Sequence, residues 1–223
     1  MEHTGPRVVS DVMTHTVVAV GTDAPFKDIV ALLQQWKVSA LPVLEGEGRV
    51  IGVVSEADLL PKEEFRDSDP DRFVQRRRLR DLAKAGGMTA ADVMTSPAVT
   101  VHAGTLLAEA ARVMAQRGVK RLPVVDSQGL LEGVVSRGDL LKVFLRPDEE
   151  IAEEIRLEVL PDLVSAPFKP PQVNVSDGVV TLTGQLPDSS LVPVAVRLVR
   201  AVEGVVDVEY RLSGSRPGAA SDG

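Results

Sequence analysis

The stretch VVSEADLL at residues 53–60 returns almost unchanged as VVSRGDLL at residues 134–141. The offset of 81 positions recurs in DVMT, which occupies residues 11–14 and again residues 92–95. The register holds without a gap through about 50 residues, which is the signature of a duplicated structural unit. The sequence therefore predicts two copies of one unit, followed by a C-terminal third that lies outside the repeat.

Each copy predicts the order strand, helix, strand, strand, helix. The β-branched stretches at residues 16–20 and 98–101 favour a first strand. Apolar residues at helical spacing predict an amphipathic helix, with Ile29, Leu32, Leu33 and Trp36 in the first copy and Leu107, Ala110, Ala111 and Met114 in the second. A hairpin with glycine in its turn follows, and S-x-x-D-L-L opens the second helix. Because one such unit has too small a core to be stable alone, we expect the two copies to pack together.

The repeated motifs resemble those of a tandem pair of cystathionine-beta-synthase (CBS) domains. The stretches that carry the resemblance are VSALPV and GEGRVIGVVSEADLL in the first copy and VKRLPVVD and GLLEGVVSRGDLL in the second. The resemblance covers roughly residues 8–145 and predicts domains at 8–62 and 89–146. It implies an α/β (α+β) architecture of β-α-β-β-α repeats. It also implies a central cleft that binds an adenosine nucleotide (AMP, ADP or ATP) as a regulatory ligand, and a homodimer.

A basic segment joins the two copies and is predicted as a helical linker at residues 63–88. Its stretch RFVQRRRLRDLAK, residues 72–84, fits either a regulatory, anion-binding arm or a solvated helix whose charge is balanced by neighbouring acids.

The repeated S-x-x-D has two interpretations. One is a capping box, in which Ser55 or Ser136 and the aspartate three residues later satisfy free amides at a helix start. The other is a nucleotide site, in which Asp58 or Asp139 accepts hydrogen bonds from the ribose hydroxyls and the serine lies near the phosphate. The repetition of the motif after GVV in both copies of a CBS-like pair favours the second interpretation.

The resemblance implies that each cavity takes residues from both copies. The cavity that holds Asp139 is expected to be lined by Thr16, Val18, Val38, Ser39, Ala40, Val134 and Ser136. The cavity that holds Asp58 is expected to be lined by Val53, Ser55, Pro97, Val99 and Val119.

The copies differ where VSALPV in the first becomes VKRLPV in the second. Lys120 and Arg121 place two positive charges near the centre of the predicted cleft, which favours phosphate binding; the alternative is a pair of solvated surface cations. Pro97 stands where the first copy has Thr16 and so removes a hydrogen-bond donor from the Asp58 site. We therefore expect unequal sites, with the Asp139 site the better one.

The C-terminal third predicts the order helix, strand, strand, helix, strand. Asp148 is the expected N-cap of the first helix, Asp177-Gly178 the turn of a hairpin, and Gly204 the end of the second helix. The pattern V-x-V-x-x-G-x-V-T-L-x-G with a later V-x-G-V-x-x-V resembles a BON domain, a bacterial module, over residues 148–213. This resemblance implies binding to phospholipid or to a protein partner. The tail at residues 214–223 is rich in Gly, Ser and Pro and is predicted to be disordered.

Composition and the lack of certain motifs argue against several classes of function. The net charge of −7 argues against general nucleic-acid binding, and the absence of cysteine excludes disulfides and thiol catalysis. His3, His15 and His102 show no metal-ligand spacing and no catalytic motif occurs, so we expect neither a metal site nor an enzyme. The lack of a signal peptide or of an apolar run of about 18 residues favours a cytoplasmic location.

Two functions remain open. In the first, the chain is an adenosine-nucleotide sensor whose BON-like module acts on a partner or a membrane; the domain order resembles that of actinobacterial stress-associated proteins. In the second, the chain is an adaptor in which an empty CBS pair serves only for dimerisation and the BON-like module binds phospholipid or protein.

Overall fold

The computed structural model describes residues 7–65, 79–164 and 167–214. The chain divides into two compact units, Met1–Leu140 and Leu141–Gly223. The predictions for the basic stretch at residues 72–78 and for the tail from residue 215 onwards lie outside the described residues.

The first copy consists of strand β1 (Val20–Gly21), helix α1 (Phe26–Trp36), strands β2 (Ala40–Glu45) and β3 (Arg49–Ser55), and helix α2 (Glu56–Leu59). Strand β1 pairs in parallel with β2, and β2 pairs antiparallel with β3. The predicted strand, helix, strand, strand, helix order is therefore present.

A short helix α3 (Pro61–Glu64) and the linker helix α4 (Leu79–Ala85) lie between the copies. Helix α5 (Ala90–Val93) then contains part of the second DVMT, and its counterpart in the first copy is the 3-10 turn Val9–Asp11. The second copy continues with helix α6 (Leu107–Arg117), strands β4 (Arg121–Val125) and β5 (Leu131–Ser136), and helix α7 (Arg137–Leu141).

The predicted first strand of each copy is shorter than expected. In the first copy, strand β1 covers only Val20, the last residue of the predicted strand, and Gly21. In the second copy, the predicted strand contributes only an isolated bridge between Val101 and Val124. The reason is that the chain after each DVMT crosses to the other copy. Backbone hydrogen bonds join Thr14 to Val134, at 2.9 and 3.0 Å, and Thr95 pairs with Val53 in the same way, at 2.9 and 3.1 Å.

The core of the first unit is formed by the apolar positions of the repeat. Ile29 and Leu33 of α1 pack with Leu41 and Val54 of the hairpin, and all four are buried. In the second copy, buried counterparts are Ala110, Met114, Leu122 and Val135. Two helix positions differ from the predicted apolar face, because Trp36 is 52% exposed and Ala111 is also exposed.

The second unit has the predicted helix, strand, strand, helix, strand order. A long first helix comprises α8 (Asp148–Glu154), a π-helical turn (Ile155–Val159) and α9 (Leu160–Leu163). Strands β6 (Gln172–Ser176) and β7 (Val179–Leu186) form an antiparallel hairpin. Helix α10 (Leu191–Arg200) follows, and β8 (Asp207–Gly214) pairs in parallel with β7. Strand β8 includes Gly214, which the sequence assigned to the tail.

The hairpin turn has the predicted residues and conformation, whereas the N-cap of helix α8 is not the predicted residue. Asp177 and Gly178 both have positive φ, at 52° and 75°, as a two-residue type I′ turn requires. The N-cap of α8 is Pro147, not Asp148. The Asp148 carboxylate instead accepts hydrogen bonds from the backbone N–H groups of Asp177 and Gly178, each at 2.8 Å. It therefore ties the hairpin turn to the first helix of this unit.

Candidate functional site

Two cavities lie in the first unit, one around each S-x-x-D aspartate. The Asp139 cavity, of about 330 Å³, is lined by Thr14, Thr16, Val17, Val18, Trp36, Val38, Ala40, Pro42, Arg121, Val134, Ser136 and Asp139. The Asp58 cavity, of about 400 Å³, is lined by Ser39, Ala40, Val53, Ser55, Glu56, Ala57, Asp58, Leu60, Thr95, Pro97, Ala98, Val99, Gly118, Val119, Lys120 and Arg121. Both volumes fall in the range of small-molecule sites.

The structure brings together nearly all the residues expected at each cavity. Ser39 is the exception, since it was expected beside Asp139 and lines the Asp58 cavity. Ser39 immediately precedes β2, while Ala40 begins that strand and lines both cavities. The two cavities therefore meet at the start of β2.

The capping box is formed in both copies. The backbone N–H and hydroxyl of Ser55 donate to Asp58 Oδ2, at 2.8 and 2.6 Å. The same two groups of Ser136 donate to Asp139 Oδ2, at 2.9 and 2.6 Å. The two interpretations of S-x-x-D are thus compatible, because the box fixes the orientation of a carboxylate that also lines a cavity.

The Asp58 carboxylate has further partners in the chain. Its Oδ1 forms an ion pair with Lys84 Nζ of the linker helix and accepts a hydrogen bond from the Thr95 hydroxyl at 3.0 Å. Lys84 Nζ also donates to Thr95 Oγ1 at 3.0 Å. Together with the Ser55 contacts, both oxygens of Asp58 are engaged.

The cations of VKRLPV are distributed unevenly. Arg121 lines both cavities, whereas Lys120 lines only the Asp58 cavity. Both residues line the Asp58 cavity because Lys120 immediately precedes β4 and Arg121 begins that strand, directly beside this cavity. Within the described chain, neither side chain forms an ion pair with an acidic residue. Arg121 thus offers an uncompensated positive charge to a ligand in either cavity.

Sequence reasoning missed four polar or aromatic contributors, one of which is Glu56 in the Asp58 cavity. Trp36, the single tryptophan of the chain, lines the Asp139 cavity instead of joining the core. Thr14 and Thr95, the last residues of the two DVMT motifs, line one cavity each. The repetition of DVMT was a signal for the threonines, but helical spacing alone placed Trp36 on the apolar face.

The described residues contain no group of three or more His, Asp or Glu side chains that could hold a metal ion. Among the helices that the structure describes, none is long and apolar enough to cross a membrane.

The comparisons with known proteins agree with this architecture. The CBS domain model matches residues 9–62 and 90–146, and the BON domain model matches residues 147–214. The chain therefore belongs to the CBS-domain proteins, with a CBS pair followed by a C-terminal BON domain.

Relatives of the CBS pair include archaeal and plant proteins. An uncharacterised protein of Methanocaldococcus jannaschii is 28% identical over 154 residues, which cover 62% of this chain and 91% of the relative. The chloroplastic CBS domain-containing protein CBSX2 of Arabidopsis thaliana is 30% identical over 161 residues, which cover 66% of this chain and 67% of the relative.

A solved structure of CBSX2 in complex with AMP is similar to the first part of the chain. It has 32% sequence identity and a TM-score of 0.55, and the match covers 62% of this chain and 96% of that chain. The CBS domain pair of protein MJ0100 matches with a TM-score of 0.51 at 16% identity, which shows a shared fold only.

Proposed function

We propose that the chain is a regulatory, non-catalytic protein that binds an adenosine nucleotide, with AMP as the first candidate, in the cleft of its CBS pair. The observation that carries the proposal is the Asp139 cavity, which combines a carboxylate, an aromatic ring and a cation: Asp139, Trp36 and Arg121. A ribose, an adenine and a phosphate require these three chemistries. The complex of CBSX2 with AMP supports the choice of ligand.

Each lining group has a proposed role. Asp139 accepts hydrogen bonds from the ribose hydroxyls, while its capping contacts with Ser136 hold the carboxylate in place. Thr16 and the valine-rich wall of the cavity contact the nucleoside, and Arg121 binds phosphate. In the Asp58 cavity, Ser55, Asp58, Pro97, Val99 and Val119 form the corresponding site with Lys120 as an additional cation.

Nucleotide occupancy would act by differential affinity for two arrangements of the pair. The two cavities share Ala40 and Arg121, and both lie where the copies exchange backbone hydrogen bonds. A ligand that draws Arg121 towards one cavity therefore changes the other cavity and the packing between the copies.

Two further parts of the proposal concern partners. We infer a homodimer formed through the CBS pair, supported by large apolar side chains that lie exposed on the first unit, Leu60, Met88 and Leu106. We also infer that the BON domain binds a protein partner or phospholipid, supported by its exposed Leu157, Phe168, Val206 and Tyr210. The regulated process would then lie with that partner.

The experiment that tests the proposal is a titration of the full chain with AMP, adenosine and a GTP control, followed by Trp36 fluorescence and by calorimetry. Trp36 reports the Asp139 cavity directly because it is the only tryptophan. We expect binding of AMP and a weakening of about 10- to 100-fold in Asp139→Asn, since a hydrogen bond to a charged group contributes about 1.5–3 kcal/mol.

Asp92→Asn is the matched control for this titration. Asp92 caps Thr89 as Asp139 caps Ser136, but it lines neither cavity. It should retain AMP affinity. Absence of binding to the wild-type chain, or equal loss in both variants, would contradict the nucleotide-sensor function and favour the adaptor.

A further inference from the structure

The Asp58 cavity contains a contact with the linker: Lys84 of helix α4 forms an ion pair with the aspartate of the site. The side chains of Lys84 and Asp58 are only 16% and 14% exposed, so the pair is largely withdrawn from water. A pair in such surroundings is screened far less than a surface ion pair. The ammonium group is also bound to Thr95 Oγ1, so it is held from two sides.

The linker helix is itself anchored at its C-terminal end. Lys62 Nζ donates to the backbone carbonyls of Ala85 and Gly87, at 3.3 and 2.7 Å. The same ammonium lies 4.9 Å from the centre of the Phe26 ring, within the range of a cation–π contact. The end of helix α4 that carries Lys84 is therefore held by Lys62 in addition to the ion pair with Asp58.

Lys84 and a ribose would compete for the same oxygen. Asp58 Oδ2 is used by Ser55, and Oδ1 is used by Lys84 and Thr95. Ribose hydroxyls are donors and need a carboxylate oxygen that can accept them. Binding of a nucleoside at Asp58 therefore requires displacement of Lys84, and with it a rearrangement of the linker helix.

From these contacts we propose that Lys84 is an internal competitor that closes the Asp58 cavity to nucleosides. The inference rests on the proposed nucleotide function and adds a selectivity residue to it. Lys84 decides the stoichiometry of binding, and a ligand that does enter the Asp58 cavity releases the linker helix from this site.

The test uses Lys84→Met in an Asp139→Asn background, with AMP and uncharged adenosine as probes in calorimetry. We expect the double variant to bind adenosine at least about tenfold more tightly than Asp139→Asn alone. Trp36 fluorescence should not respond to adenosine, since Trp36 does not line the Asp58 cavity and adenosine has no phosphate to draw Arg121. Adding Asp58→Asn should abolish the regained binding.

Lys27→Met is the matched control, because Lys27 is exposed and its loss changes the net charge equally. Because loss of a cation generally weakens the binding of an anion, a higher affinity for AMP in Lys84→Met would be opposite to the effect of the charge change alone. Lys62→Met provides a second variant that keeps Lys84 and removes the contacts of Lys62 with the end of the linker helix and with Phe26. It should give a smaller gain in the same background.

The outcomes separate the two proposals. If the wild-type chain binds one AMP and loses it in Asp139→Asn, the nucleotide function stands; equal affinities in the Lys84→Met and Lys27→Met backgrounds then overturn the role of Lys84. Two equivalent AMP sites in the wild-type chain overturn it as well. If neither the wild-type chain nor Lys84→Met binds any probe, both proposals fail.

Discussion

Asp58 and Asp139 stand at corresponding positions of the repeat and make the same capping contacts. Asp58 also forms an ion pair with Lys84, a residue outside the part of the repeat that fixes the register. At the scale of single residues, the identity of an aspartate therefore does not determine its role. The neighbours that the fold supplies to the second carboxylate oxygen determine it.

Asp92, in the second DVMT, makes the stability of the folded chain depend on pH. Hydrogen bonds from the backbone N–H groups of Met88 and Thr89, and then from the Thr89 hydroxyl, lower the pKa of Asp92 below its ordinary value of 3.8. A group whose pKa is lowered by folding stabilises the folded state above its unfolded pKa. That contribution is lost as the pH falls through the folded pKa.

We therefore expect Asp92→Asn to lower the unfolding free energy near pH 7, and the difference from wild type to shrink as the pH falls below about 4. Urea unfolding at a series of pH values measures this. Asp23→Asn serves as the control, since Asp23 is exposed and accepts no hydrogen bond that the described structure shows. A difference that stays constant down to the acid end would contradict this assignment.

At the scale of elements, the glycine of each GVV strand explains why DVMT and GVV recur together in the repeat. Gly133 of β5 faces the first DVMT, where an added Cβ would lie 2.9 Å from Met13 Sδ and 3.0 Å from the Thr14 carbonyl oxygen. Gly52 of β3 faces the second DVMT in the same way, 2.5 Å from Met94 Sδ. The two motifs recur together because each copy's DVMT packs on the other copy's GVV.

Gly133→Ala should therefore destabilise the first unit by about 1–3 kcal/mol, the usual range for an overpacked contact. Part of the clash is with backbone, which cannot move aside as the methionine can. Thermal unfolding followed by Trp36 fluorescence measures the effect. Gly104→Ala is the matched control, since an added Cβ there meets nothing within 4 Å; an equal loss of stability in both variants would refute the close-packing argument.

At the scale of the whole molecule, the chain consists of two compact units with separate cores. Both cavities lie in the first unit, and the BON domain lies in the second. A ligand of the CBS pair acts directly on the stability of the first unit, because it binds only the folded form of that unit.

We expect AMP at about 100 times its dissociation constant to stabilise the first unit by about 2.7 kcal/mol, or roughly 5–10 °C. Calorimetric scans should show this shift in one transition, while the transition of the BON domain stays in place. Trp36 assigns the shifted transition to the first unit. The Asp139→Asn chain should lose the shift. If AMP shifted every calorimetric transition by the same temperature, independent unfolding of the two units would be contradicted.

The sequence by itself determined the duplication, the order of elements in both units and the hairpin turn at Asp177-Gly178. These features depend on local chemistry: apolar periodicity, glycine at positive φ and the offset of 81 positions. It also indicated most of the residues around the two cavities, since a resemblance carried by DVMT and GVVS transfers position by position.

The tertiary structure alone decided three things. It moved Trp36 from the predicted core to a cavity wall, placed Lys120 in the wall of the Asp58 cavity, and brought Lys84 to the Asp58 carboxylate across 26 positions of chain. Helical spacing identifies a face but not what covers it, and no local pattern states which carboxylate a distant lysine will meet. Such contacts follow from the path of the linker and the packing of the two copies, which only the folded chain fixes.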